Sequence, residues 1–152
     1  MKFSILNLFV LLFLLFTSCS KSSTKALGNT GELDQLIRVR YGSFVALPTE
    51  NLSISFKKVR EGRCPADVNC IQAGEANASF IVTKANQSES LLLTAKGNCQ
   101  SDAGSCGQEK RVLNYSIKLM KLDPYPGTGE QGEEFYIAYL MVSKHSIQSN
   151  QR

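Results

Sequence analysis

Three sets of side chains in this chain could do chemistry: five cysteines, one histidine and the carboxylates gathered between Asp123 and Glu134. A Ser-His-Asp hydrolase needs a histidine held rigidly between nucleophile and carboxylate. His145 falls in a polar C-terminal stretch, so no such base is expected. Hydrolytic zinc takes about three protein ligands, with histidine usually among them, and that set is missing. Asp123, Glu130, Glu133 and Glu134 could offer oxygens to Ca²⁺, but their spacing matches no calcium-loop geometry, and acids in an exposed turn are ordinarily just solvated. A glycosidase needs two carboxylates across a cleft, and nothing here selects a pair. Gly127-Thr128-Gly129-Glu130-Gln131-Gly132 spells GxGxxG, yet it follows a proline-rich strand exit and precedes another strand, with no helix N-terminus to hold a pyrophosphate. No catalytic residue, cofactor or metal is expected, and the chain reads as non-enzymatic.

The first cysteine belongs to a different chemistry. Lys2 supplies a positive start, Ile5 to Phe16 an apolar run broken only by Asn7, and small Thr17 and Ser18 lead directly into Cys19. The apolar run is about a dozen residues, short of the roughly 20 that a membrane span needs. An ordinary cleaved secretory signal would leave Cys19 as an unpaired exported thiol. The pattern instead resembles a bacterial lipoprotein signal, in which the cysteine sulfur takes a diacylglyceryl group and the cysteine becomes the first residue of the mature, fatty-acylated chain, palmitate being a usual acid. More than one acyl chain anchors firmly, at about 0.8 kcal/mol per buried CH₂.

In an exported chain the remaining cysteines, Cys64, Cys70, Cys99 and Cys106, read as two disulfides. Four cysteines allow three connectivities. The short spacings favour the local bridges Cys64–Cys70 and Cys99–Cys106, whose main effect would be to hold loop shape. A four-thiolate zinc site is disfavoured by the absence of CxxC spacing and by the oxidising compartment.

The elements that must position these groups read as strands. Residues 1–18 form the signal, 19–34 a polar, Gly-containing tether without periodicity, 35–143 one domain and 144–152 a polar tail expected to be disordered. About 130 mature residues suffice for one core and are too few for two ordinary ones. Ile37, Val39 and Tyr41 alternate with Arg38 and Arg40, as in a half-buried antiparallel strand. Leu52, Ile54 and Phe56 alternate likewise until Val59 replaces position 58 as the apolar residue, a slip that predicts a β-bulge. Ala76, Ala78, Phe80 and Val82 mark an inner face, and Ser90 to Ala95 follows across a polar turn at 85–88. Tyr115, Ile117 and Leu119 share a face until a second slip brings in Leu122. Phe135 to Val142 is apolar on both faces and is expected at the centre of a sheet. About seven short strands without helices predict an all-β fold, an antiparallel immunoglobulin-like β-sandwich. Four Asn-x-Ser sequons, at Asn51, Asn77, Asn86 and Asn114, carry no meaning in a bacterial chain, and Asn77 and Asn114 are expected inside strands.

The segment Arg63-Cys64-Pro65-Ala66-Asp67-Val68-Asn69-Cys70-Ile71-Gln72-Ala73-Gly74-Glu75-Ala76 is similar to the pattern R-C-P-x-x-V-x-C-x-W-A-G-x-A of a family of small, uncharacterised bacterial envelope proteins, many of them lipoproteins. The likeness extends to Leu52, Ile54 and Phe56 before it, to Leu119, Leu122, Pro124 and Pro126 after it, and to the last strand from Tyr136 to Val142. It implies an exported β-sandwich and brings no established activity. Gln72 stands where the pattern has tryptophan, and the Cys99–Cys106 loop looks like an addition.

Charge excludes one class of partner. Seventeen Lys and Arg against thirteen Asp and Glu leave a formal charge of +4, without the clustering of a nucleic-acid binder; Lys57, Lys58, Arg60 and Arg63 are interrupted by Glu61. Three roles remain: an envelope binding or accessory domain meeting a protein or glycan through a rigid loop built from Arg63, Pro65, Asp67, Val68 and Gln72; a protease inhibitor of immunoglobulin-like type, by architecture alone; or a structural or stress-related envelope component. The membrane would be reached through the lipid anchor. Ser20 and Lys21 lack the aspartate of inner-membrane retention, which makes the periplasmic face of the outer membrane the expected address.

Overall fold

A computed structural model describes residues 29–97, 107–127, 129 and 132–145. Cys19, Cys99, Cys106 and Glu130, and with them the expected lipidation and second disulfide, lie outside the described residues.

Wherever apolar residues alternate, the chain extends and buries one side. The strands are β1 (Asn29–Thr30), β2 (Leu36–Arg40), β3 (Phe44–Leu47), β4 (Leu52–Arg60), β5 (Glu75–Lys84), β6 (Gln87–Lys96), β7 (Glu109–Val112), β8 (Tyr115–Asp123) and β9 (Ile137–Lys144). They form two layers, β1-β3-β4-β5-β6 and β2-β9-β8-β7, so the all-β sandwich expected from the sequence is the architecture observed. "Immunoglobulin-like" describes the two-layer build but not the strand order: β3 to β6 run as consecutive hairpin neighbours, β7 to β9 do the same, and β2 closes beside β9. An immunoglobulin sandwich instead interleaves distant strands by Greek-key connections.

Between the layers pack Val39, Leu47, Ile54, Phe56, Phe80, Leu93, Ile117, Leu119 and Leu140, all essentially inaccessible, with Phe56 stacked on Phe80 at 4.9 Å between ring centroids. Both expected bulges are present. Register shifts between Phe56 and Lys58 and between Leu119 and Lys121 leave Lys57 and Met120 as the extra residues. Each stands sixth in a nine-residue strand, so β4 and β8 are re-aimed at the same end of the sandwich.

The hairpin register separates the two ends. At one lie tight turns: Ala85-Asn86, with Lys84 opposite Gln87, and Leu113-Asn114, with Val112 opposite Tyr115. Leu113 and Asn114 both have positive φ, as a two-residue I′ hairpin turn requires. At the other end β4, β6 and β8 finish and β5, β7 and β9 begin.

Four expectations are corrected. Asn29–Thr30, placed in the tether by composition, pair in parallel with Val45 and Ala46; a two-residue edge strand held by backbone bonds carries no periodic signal. β7 was not expected, because only Val112 of its four residues is buried. Asn114 lies in a turn, not in a strand. Phe135 is 64% exposed in a 3₁₀ turn, Glu133–Phe135, and β9 begins beyond it. As expected, β9 lies inside its sheet, between β2 and β8. No helix among the described residues is long and apolar enough to cross a membrane.

Candidate functional site: the disulfide-loop end

The re-aimed exits of β4 and β8 converge on one side chain. Arg63 is 5% exposed, the one buried charged residue among those described. Its Nη1 donates to Leu122 O at 3.0 Å, Nη2 to Pro124 O at 2.9 Å and to Glu61 Oε2 at 2.6 Å, and Nε to Glu61 Oε1 at 2.9 Å. Its guanidinium lies 4.9 Å from the ring centroid of Tyr125. Glu61 also accepts the backbone N–H of Arg63 at 2.8 Å and the hydroxyl of Tyr136 at 2.9 Å. Burial works against ionisation of Glu61, but the bonds from Arg63 and Tyr136 outweigh it and hold its carboxyl below the usual range. The same burial, together with the adjoining carboxylate, pushes the Tyr136 hydroxyl up to about 12. Every polar group of the cluster has a partner, with Glu61 ionised and the Tyr136 hydroxyl protonated at neutral pH, and the cluster acts as a structural pin.

From this pin rises the loop. Cys64 N donates to Ala73 O at 2.8 Å, Gly97 N to Gly74 O at 2.9 Å, and Ala66 N to Pro126 O at 2.9 Å; Arg63 and Gly74 form an isolated antiparallel bridge. Tyr125 donates its hydroxyl to Gly97 O. Cys64 and Cys70 are joined, with Cα atoms 5.9 Å apart, the local pairing expected from their spacing. The base of the loop is thus clamped on three sides and its neck closed by sulfur.

The five residues expected to form the contact surface separate accordingly. Arg63 points inward and is not available to a partner; the requirement that a buried guanidinium find acceptors on every side fits it to the pin instead. Pro65 is half-buried, while Asp67, Val68 and Gln72 are exposed. Sequence reasoning missed Ile71, whose side chain is fully exposed beside Val68 at 44%. The available signal was an isoleucine between Cys70 and Gln72, outside every strand pattern. Of the acidic residues considered for calcium, Asp123 pairs with Lys121 at 2.9 Å and Glu133 accepts the hydroxyl of Tyr41; no three candidate ligands converge among the described residues.

No protein-family model, curated protein or solved structure matches this chain.

Opening the bridge with Cys64→Ser and Cys70→Ser is expected to cost about 2 kcal/mol, the low end for disulfides because the closed loop is short. The urea midpoint should fall accordingly. Because the pin and the clamped base do not depend on sulfur, native near-ultraviolet dichroism should persist.

Proposed function

We propose that this chain is a lipid-anchored envelope protein, held by Cys19 at the periplasmic face of the outer membrane, that acts without catalysis as a binding domain. Its contact surface is the tip of the Cys64–Cys70 loop, and its partner is another envelope protein. One observation carries the reading: a loop clamped at its base and closed by a disulfide presents Val68 and a fully exposed Ile71 to solvent. Rigid scaffolds that spend exposed apolar side chains on a loop do so where something covers them, and an ordered loop loses little entropy on binding.

The test is site-specific photocrosslinking in intact cells, with a benzophenone side chain at position 71 and, as control, at Thr83 on the opposite end, combined with intact mass of the captured protein. A mature chain beginning at an acylated Cys19, with a discrete protein adduct at 71 and none at 83, is expected. An unlipidated chain would remove the address. Equal labelling at both positions, or adducts with lipid alone at 71, would remove the protein contact.

A further inference from the structure

The two outer faces of the sandwich differ in chemistry. On β4, β5 and β6 the outward positions include Ser53, Ser55, Ser79, Thr83, Ser90 and Thr94, a hydroxyl surface whose cations Lys57, Lys58 and Arg60 gather at the end of β4 with no aromatic ring among them. The outward face of the four-stranded sheet is built otherwise. Along its inner strand β9 runs an apolar strip, Ile137, Tyr139 and Met141, each half-exposed. Register places Arg40 beside Ile137, Arg38 beside Tyr139, and on the other flank Lys121 beside Tyr139 and Lys118 beside Met141. The cations close over the ring: Arg38 Cζ is 5.5 Å and Lys121 Nζ 5.8 Å from the Tyr139 centroid. Of the acids on this face, Asp123 pairs with Lys121, Glu109 accepts the Ser116 hydroxyl, and Asp34 accepts the hydroxyl of Ser143 at the far end of β9.

From this juxtaposition we propose that the outer face of the β2-β9-β8-β7 sheet binds a linear acidic polysaccharide lying along β9. Neighbouring strands are about 4.8 Å apart, so the two cationic lines border the strip about 10 Å from each other. A polymer of pyranose rings bearing carboxylate or phosphate groups has the matching cross-section: apolar ring faces for Tyr139 and Met141, and anionic edges within reach of Arg and Lys on both sides. A single-stranded nucleic acid fits less well, because stacking platforms for bases use successive aromatic rings and this strip has one. A lipid surface fits less well too: among the described residues the one strongly exposed apolar side chain on this face is Leu36, beside Met141 at one end of the strip, and a single side chain inserts little apolar area. The proposal is independent of the loop contact above, since it uses another surface of the molecule.

The test uses the full chain with Cys19→Ser, so that no acyl group intervenes, and polygalacturonate as the probe, with neutral galactan, oligo-dT and phosphatidylglycerol vesicles alongside. Binding to polygalacturonate that weakens as salt rises is expected, together with little binding to galactan. Arg38→Gln with Arg40→Gln should weaken it at least tenfold and Tyr139→Ser about fivefold. Lys57→Gln with Lys58→Gln removes the same charge from the other sheet and should change it less than twofold. All five positions are at the surface or half-exposed, and unchanged melting temperatures establish that the variants fold. Equal losses from the two charge pairs, no binding to polygalacturonate, or stronger binding to oligo-dT or vesicles would each overturn the proposal.

Discussion

Replacing Arg63 by methionine is expected to destabilise the domain by about 3–5 kcal/mol, the range for removing one partner of a buried, hydrogen-bonded ion pair. The side chains of Arg63 and Glu61 are only 3% and 22% exposed, so solvent cannot replace what is lost. Methionine leaves the Glu61 carboxylate with Tyr136 as its remaining side-chain donor, and it withdraws the donors that tie Leu122 O and Pro124 O to the β4 exit. Tyr136→Phe, which removes a single hydroxyl, should cost about 1 kcal/mol. Glu61→Gln combined with Arg63→Met should cost clearly less than the two single changes added together, because the residues act as one unit. Chemical denaturation of the wild type and the four variants, Glu61→Gln alone among them, measures each term. A loss below about 1 kcal/mol for Arg63→Met would mean that the guanidinium does not pin the loop.

Acid supplies an independent check of sign. The folded carboxyl of Glu61 sits below its ordinary value, so its stabilisation is fully present above the unfolded pKa of about 4.3 and is lost as pH falls through the lower, folded pKa. In Arg63→Met the same half-buried carboxylate has lost its cation, and protonation relieves it. The stability gap between wild type and variant should therefore be widest near neutrality and narrow steadily below about pH 4. A gap that stayed constant on acidification would assign the cost to packing instead of charge.

The features that were legible in the sequence share one cause: burial on one side of a strand writes itself as alternation. Phe56 followed by Val59, and Leu119 followed by Leu122, announced two bulges because a side chain that must face the core cannot fall on the wrong parity. Strand order left no such trace. Hairpin meanders and Greek keys demand the same alternation and differ only in which neighbour each strand finds, so the immunoglobulin-like expectation could not be tested on residues alone. β1 and β7 were missed because edge strands held by backbone bonds need few buried side chains. At the loop, cysteine spacing indicated the local bridge correctly. Arg63 was misassigned because a charged residue beside two cysteines reads as surface until two carbonyls from β8 and its exit, some sixty positions away, are seen to surround it. Ile71 was passed over for the converse reason: an apolar residue in a loop has no period to mark it.

The clamp beneath the loop should be as sensitive as the pin, and Gly74→Ala is expected to cost about 3 kcal/mol or more. Gly74 has φ +65°, a left-handed conformation that costs a residue with a Cβ about 1–2 kcal/mol. A Cβ there would also stand 2.0 Å from Gly62 O. The atoms it would meet, Gly62 O and C and Arg63 Cα, are all backbone, so none can move aside by a rotamer change; the chain must separate, and with it the Arg63–Gly74 bridge and the bond from Gly97 N. Two other glycines isolate the contributions. Gly42 has φ +70° with nothing within 4 Å of an added Cβ, so Gly42→Ala should show the conformational cost alone; Gly127 has open space and no positive φ, so Gly127→Ala should be neutral. The order Gly74→Ala, Gly42→Ala, Gly127→Ala in loss of melting temperature is the expected result. If Gly74→Ala fell no further than Gly42→Ala, the close approach of residues 62 and 74 would not hold the loop, and its rigidity would rest on the disulfide and the arginine alone.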